Sequence, residues 1–392
     1  MSRAAVSVII PTHNYGRFLR TTIASVLAQQ QVRPDVVVVD DASTDDTRAV
    51  VAGFHDVRYF YQSHRGVAVA RNRGAAEARG DAFWFLDADD RLTPGAVDAL
   101  SAFLDRHPGV DAVIGGWVYM DASGRVLPQQ GGMPGGTIRA EQIVRHGCPA
   151  TLGTALIRRR AFEQLGGFDE ALSGATDLDF WLRLITSGGQ MTGVQVPVLR
   201  MLVHAGSMST NADAMVQEIL SVYARVRIDG ALREQAVFHH RVALAAAYWQ
   251  TGDRERWRTA LMEPSVEGSP AWESPETFVR LAYLLLPHGL RARSVLRARW
   301  REVAAALADA LTVLERGPAR GPRRTAAGLT ALADLQWSAD QVTGARRTLS
   351  RALRTYPRAI RFPGMPSMVL KLLLPRVVID GVRSRRRSAS LP

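Results

Sequence analysis

Apolar positions in the first 120 residues fall in short unbroken blocks rather than in alternation. Residues 6–11 (Val-Ser-Val-Ile-Ile-Pro), 36–39 (four valines) and 83–86 (Phe-Trp-Phe-Leu) read as buried strands, because a strand covered on both faces needs no polar side. Residues 57–61 and 112–119 add two more, and 194–202 a last one. Between them, 18–28, 48–54, 69–78 and 96–104 carry helical spacing, as through Phe18, Thr22, Val26 and Leu27. Strand and helix in alternation predict a mostly parallel sheet with right-handed crossovers. A further helix is expected over 177–187, with Leu178, Trp181, Leu182 and Ile185 as its buried stripe. Residues 131–136 read as a glycine-rich loop.

The pattern changes near Ala214. Strand-like blocks vanish and segments rich in Ala, Leu and Arg take over, predicting an all-α region. The expected division is therefore 1–212 for an α/β domain, 213–362 for a helical domain and 363–392 for a tail. Two stretches, around Tyr248 and around Leu335, share a loose helical-hairpin pattern. Two copies do not make a solenoid, and a plain helical bundle is the expectation. In the tail, the apolar run 368–374 precedes Arg376, Arg383, Arg385, Arg386 and Arg387. Such a pairing fits an anionic membrane surface, or equally a core helix followed by a polar end.

Composition removes several classes. Lys371 is the only lysine among 49 basic residues, so the first 370 positions hold no phosphate-loop or Schiff-base lysine. The net charge of +12 is carried by arginine spread through helices without interleaved aromatics, which argues against nucleic acid. One cysteine, Cys148, excludes an internal disulfide and fits a reducing compartment. No apolar run reaches the ~20 residues of a membrane span. Nor is a cleavable leader expected, since residues 5–11 already read as a strand. The expected location is cytoplasmic, peripheral on the inner face of a membrane if the tail binds there. Nicotinamide chemistry is excluded too: Pro11-Thr12-His13-Asn14-Tyr15-Gly16 stands where Gly-x-Gly-x-x-Gly would follow the first strand.

Candidate chemistry concentrates after the strand at 83–86. Asp87, Asp89 and Asp90 follow within four positions, and charges this dense leave a core unless paired or metal-bound. Open α/β sheets hold ligands at this end of their strands. One or two carboxylates, completed by phosphates and water, suit Mg²⁺ or Mn²⁺. A solvated acidic turn ahead of the next helix is the plain alternative.

Four segments then occur in register: residues 8–14 (Val-Ile-Ile-Pro-Thr-His-Asn), 38–45 (Val-Val-Asp-Asp-Ala-Ser-Thr-Asp), 71–74 (Arg-Asn-Arg-Gly) and 85–90 (Phe-Leu-Asp-Ala-Asp-Asp). Together they resemble family 2 glycosyltransferases of the GT-A fold over roughly residues 5–210. The resemblance implies a GT-A, Rossmann-like domain that takes a nucleotide-diphosphate sugar, UDP-linked, and passes the sugar to a saccharide or lipid-linked hydroxyl with inversion. It assigns Thr12, Asn14, Asp40, Asp41, Arg71 and Asp87 to the nucleotide sugar, with Arg71 reaching the diphosphate. Asp89 and His204 become metal ligands and Asp177 the catalytic base. It also implies polysaccharide synthesis at the cell envelope. Relatives carry Glu-Asp where this chain has Thr176-Asp177. Locally, Thr176 reads as an N-cap, and a helix start would keep Asp177 ionised but weakly basic. Trp117 and the 131–136 loop are candidates to line an acceptor site. A nucleotidyltransferase, or a sugar-nucleotide binder without turnover, are the competing readings.

Overall fold

The computed structural model describes residues 5–121, 123–146, 151–202, 212–285, 299–317, 321–339 and 341–362. Cys148, His204 and the 363–392 tail therefore lie outside the described residues. The chain divides into two compact units, residues 1–237 and 238–392.

Ten strands form the sheet of the first unit: β1 Val6–Thr12, β2 Asp35–Asp41, β3 Val57–Gln62, β4 Ala82–Phe85, β5 Arg91–Leu92, β6 Ala112–Met120, β7 Val126–Gly131, β8 Gly136–Thr137, β9 Ala155–Arg158 and β10 Met191–Leu202. Their order is β3-β2-β1-β4-β9-β6-β10-β5, with β7 on β6 and β8 on β10. The block β3-β2-β1-β4 is parallel throughout. Beyond it the sheet is mixed: β9 runs antiparallel to β4 and β6, while β10 is parallel to β6. The chain leaves β1 toward β2 on one side and returns to β4 on the other. That reversal opens a crevice at the carboxyl ends of β1, β2 and β4.

The helices are α1 Gly16–Leu27, α2 Thr47–Ala52, α3 Val67–Glu77, α4 Ala96–Arg106, α5 Ala140–His146, α6 Arg159–Gln164, α7 Thr176–Thr186, α8 Ala212–Arg225 and α9 Gly230–Thr251. Valine and isoleucine along β1 and β2 point alternately to two cores. Val8, Ile10, Val36 and Val38 meet α1, α2 and α4, whereas Ile9, Val37 and Val39 meet α3 and its neighbours. The second core is aromatic: Phe83, Phe85, Phe162, Phe168 and Phe180 contact one another edge-on or tilted, an arrangement that gains beyond its buried area. Gly74 lets α3 lie flat on β1, since a Cβ there would sit 2.3 Å from the Ile9 Cγ2.

Helix α8 and the start of α9 also belong here. Val222, Tyr223, Val226, Leu232 and Ala236 pack into the core of Phe83 and Phe180, so the first unit runs past the division expected at 212. Amphipathic spacing shows that a helix has a buried face but not which core receives it. The second unit is helical, as expected. Residues 238–251, Arg254–Leu261, Pro264–Glu267, Pro275–Leu284, Trp300–Arg316, Pro322–Ser338 and Val342–Thr355 are its helices, packed around Trp257, Trp272, Phe278 and Leu281. Asp253 and Ser274 cap two of them. A buried Arg324–Glu267 pair at 3.2 Å lies within this unit. Among the described residues no helix is long and apolar enough to cross a membrane.

Candidate functional site

The crevice is built from three strand ends and the amino end of α7. Thr12 closes β1 opposite Asp40 of β2. Its side chain is buried, and its Oγ1 has no partner. An orphaned hydroxyl in a wall of the crevice is what a ligand's polar group would satisfy. The loops after β1 and β2 are laced together. The Asn14 amide donates to the Ser43 hydroxyl at 2.9 Å, and the Asn14 Oδ1 accepts from the Thr44 amide at 2.7 Å. Asn14 (φ 58°) and Ala42 (φ 66°) hold left-handed backbone there. For alanine that costs on the order of 1 kcal/mol or more. Asn14, a nucleotide-sugar candidate by sequence, is observed as the side chain that fixes this pair of loops.

Asp40 and Asp41 are both buried but differently engaged. Asp40 accepts from the Ser43 amide at 2.7 Å and from the Tyr59 hydroxyl at 2.6 Å, one donor per oxygen. Burial, together with the Asp40 anion, pushes the Tyr59 phenol up. Asp41 accepts from the Gln62 side chain and from the amides of Arg65 and Gly66, each at 2.8 Å. His64 Nδ1 lies a further 2.9 Å from the Asp41 Oδ2. Burial opposes the Asp41 anion, yet Gln62 and these amides hold its carboxyl below the usual range. Asp41 is therefore the fuller of the two acceptors, although the His64 ring that covers it is 64% exposed. His64 also packs against His13, their rings tilted and 4.4 Å apart. Sequence reasoning passed over Tyr59, Gln62 and His64, because they sit on β3 or just past it and match no motif.

Each residue of the 71–74 segment has its own task. Asn72 exchanges hydrogen bonds with both the amide and the carbonyl of Phe168, at 2.9 Å each. Arg73 donates to the Tyr61 carbonyl, and Gly74 makes the close approach to β1. Arg71 is buried, and one face of it lies over the Phe168 ring. Its Nη2 is 2.9 Å from the Asp87 Oδ1, while its Nη1 donates to the Thr176 Oγ1 at 2.9 Å and lies 3.5 Å from the Asp177 Oδ1. The guanidinium expected at a diphosphate is thus the link between two carboxylates on opposite sides of the crevice.

Asp87 keeps 43% of its side-chain surface, and Asp89 is half-buried. Tyr15 stands beside them: burial and the Asp89 and Asp87 charges push its phenol up. Asp90 differs in kind. It is buried and accepts from the Leu202 amide at 3.0 Å. Burial, reinforced by Asp89 and Asp87, raises its carboxyl well above the usual range. Asp90 thereby ties the end of β10 to the acidic turn. Among the described residues no three His, Cys, Asp or Glu side chains converge as a metal cage. The donor set of Asp87 and Asp89 nevertheless fits a hard divalent cation that takes its remaining ligands from phosphate and water.

Asp177 lies in the first turn of α7, but its surroundings differ from those expected. Ala175 occupies the N-cap, and Thr176 is the first helical residue. The Thr176 hydroxyl caps nothing; it accepts from Arg71 and stands 3.2 Å from the Asp177 Oδ1. Asp177 also accepts from the Leu152 amide at 3.2 Å, and 27% of its side chain is exposed. Burial raises its carboxyl, with the Asp87 charge adding to the effect, against the lowering by Arg71, Leu152 and Thr176. The helix start was expected to keep this group a weak base; desolvation in the crevice outweighs it. Trp117 packs on Gly131, as a Cβ there would fall 2.2 Å from its ring, and its Nε1 is buried without a partner.

Residues 7–166 match the model of glycosyl transferase family 2. An uncharacterized glycosyltransferase of Rickettsia felis is 30% identical over 192 residues, which cover 46% of this chain and 31% of that protein. The chain thus spans about a third of the length of this curated relative. An uncharacterized protein of Mycobacterium tuberculosis is 27% identical over 284 residues, 68% of this chain and 86% of that protein. Among solved structures, Staphylococcus aureus TarS 1–349 in complex with UDP-GlcNAc is similar in fold. The TM-score is 0.51 at 16% identity, over 90% of this chain and 92% of that one. Parallel β3-β2-β1-β4 order, the crevice at its strand ends and the family match agree: over residues 7–166 this chain is similar to glycosyl transferase family 2.

Proposed function

We propose that this protein transfers a sugar from a nucleotide-diphosphate sugar, UDP-linked, to a hydroxyl of a saccharide or lipid-linked acceptor, with inversion at the anomeric carbon. One observation carries the reading most. Arg71 joins Asp87, on the acidic turn after β4, to Asp177, at the start of α7. Two carboxylates with different surroundings therefore face one crevice, one beside the acidic turn and one raised toward a usable base. A carboxylate raised by burial in a crevice beside a specific charge partner is a candidate base.

In this reading the Thr12 hydroxyl and Asp40 meet the nucleoside. Asp41 joins them when the exposed His64 ring swings away. Asp87 and Asp89 would hold the divalent cation, Mg²⁺ or Mn²⁺, with His204 proposed as a further ligand. When bound, the cation supplies positive charge against the diphosphate leaving group. Asp177 accepts the proton of the acceptor hydroxyl as its oxygen bonds to the anomeric carbon. The bond from that carbon to the diphosphate oxygen breaks in the same displacement, and the nucleoside diphosphate leaves with the electron pair. Such a base contributes typically 10²–10⁴-fold. Arg71 holds Asp177 in place and limits how far burial raises it. Thr176, where relatives have glutamate, adds no third carboxylate to that guanidinium. The cell envelope and an inner membrane face, through the basic tail, are the setting proposed for the acceptor.

Calorimetric titration with UDP tests the nucleotide half of this reading. Saturable binding with Mn²⁺ that vanishes with EDTA is expected. Binding indifferent to EDTA would remove the cation from the scheme.

A further inference from the structure

The amides of residues 173–175, the turn that aims Asp177 into the crevice, are held by one side chain of α8. Glu218 accepts from the Ser173 amide at 3.1 Å, the Ser173 hydroxyl at 2.5 Å, the Gly174 amide at 2.7 Å and the Ala175 amide at 3.1 Å. Three successive amides and a hydroxyl thus converge on one carboxylate, the arrangement of an anion nest filled from within the protein. Gly174 allows the approach, since a Cβ there would sit 2.5 Å from the Met215 Cε, also on α8. The same helix grips α7 again one turn further on. Arg225 donates to Asp179 at 3.0 Å and lies 2.6 Å from Asp169, while Arg183 lies 2.7 Å from Asp179. Asp179 is fully buried at the centre of this network.

We infer that Glu218 is a positioning residue for transfer, acting through Asp177 by fixing the turn from which α7 starts. The inference rests on Asp177 as the base. Capping in the ordinary sense is absent: Ala175 is the N-cap and brings no side-chain acceptor. Glu218 orders the entry instead, so the direction of Asp177 depends on α8. Misplacing a reacting group by ~1 Å costs up to 10²-fold, and residues 173–175 lead straight into Asp177. The nucleotide half of the crevice stands on β1, β2 and β4, whereas Glu218 bonds to residues 173–175, so nucleotide affinity should not change. Replacing Glu218 with Gln is the discriminating substitution. It keeps the length of the side chain but turns one acceptor into an –NH₂ that faces the amides.

Two readouts test the inference on the full chain. The first is hydrogen–deuterium exchange over residues 170–182, which needs no substrate and should rise in E218Q. The second is turnover of UDP-GlcNAc as probe, with water or a saccharide as acceptor. There kcat should fall ~10-fold, with the affinity for UDP and Mn²⁺ unchanged, and E218D should recover part of the loss. In a D177N background, E218Q should lower kcat no further. Unchanged exchange would overturn the clamp. An equal loss in the D177N background, or a loss of UDP affinity, would overturn its action through Asp177. Faster exchange together with a wild type that turns over no donor would fault the transferase reading and leave the clamp standing.

Discussion

Asp177→Asn should leave UDP affinity and the melting temperature nearly unchanged and lower kcat by at least ~10²-fold, the scale of a lost general base. Asparagine keeps the shape and can still accept from the Leu152 amide, so helix α7 should not move. What disappears is a carboxylate at the α7 side of the crevice whose proton affinity is raised by burial. The same physics sets a pH dependence. A base must be ionised, and a raised carboxyl gives up its proton only above the ordinary carboxylate range. In the wild type, kcat should therefore fall as pH drops through a midpoint above that range, while UDP binding persists to lower pH. If Asp177→Asn turns over at near-normal rate, the residue is a helix-start carboxylate and nothing more.

Asp89→Ala should abolish turnover and remove the Mn²⁺ dependence of UDP binding. Asp87 already has Arg71 as a counter-charge, and Asp90 is buried against the Leu202 amide. Asp89, half-buried on the same turn, is the carboxylate proposed to take the cation together with Asp87. Its neighbour Tyr15 places a phenol rather than a competing cation beside it. Equilibrium titrations with and without EDTA read the effect directly. Metal-dependent UDP binding that survives in Asp89→Ala would move the cation elsewhere.

Much of this architecture is legible in the amino-acid order, for physical reasons. Four consecutive valines at 36–39 can only be a strand covered on both faces, and the run 83–86 is equally unambiguous. Acids directly after such strands mark where the chain leaves the core. Arg91–Leu92, Gly136–Thr137 and Ala155–Arg158 were not foreseen, because strands of two to four residues hold no period to read. The site was legible in its motifs and less so in its wiring. Arg71 looks like a surface cation in the sequence, and only packing against Phe168 turns it toward Asp87 and Asp177. Likewise, nothing in the order of residues shows that Asp41 is covered by residues 62–66. Nor does it show that Glu218, more than 40 positions downstream, orders the start of α7. Long-range hydrogen bonds to backbone amides leave no trace in composition, since any acidic residue on a helix looks the same before it is folded.

The central claim is that this crevice cleaves the bond between a sugar and a nucleoside diphosphate. Release of UDP from a panel of UDP-sugars, assayed with Mn²⁺ and with EDTA, tests it most directly. Turnover of at least one UDP-sugar that EDTA abolishes is predicted. UDP that binds in Mn²⁺ while no sugar in the panel is released would contradict it, and would leave a sugar-nucleotide binder in place of a transferase.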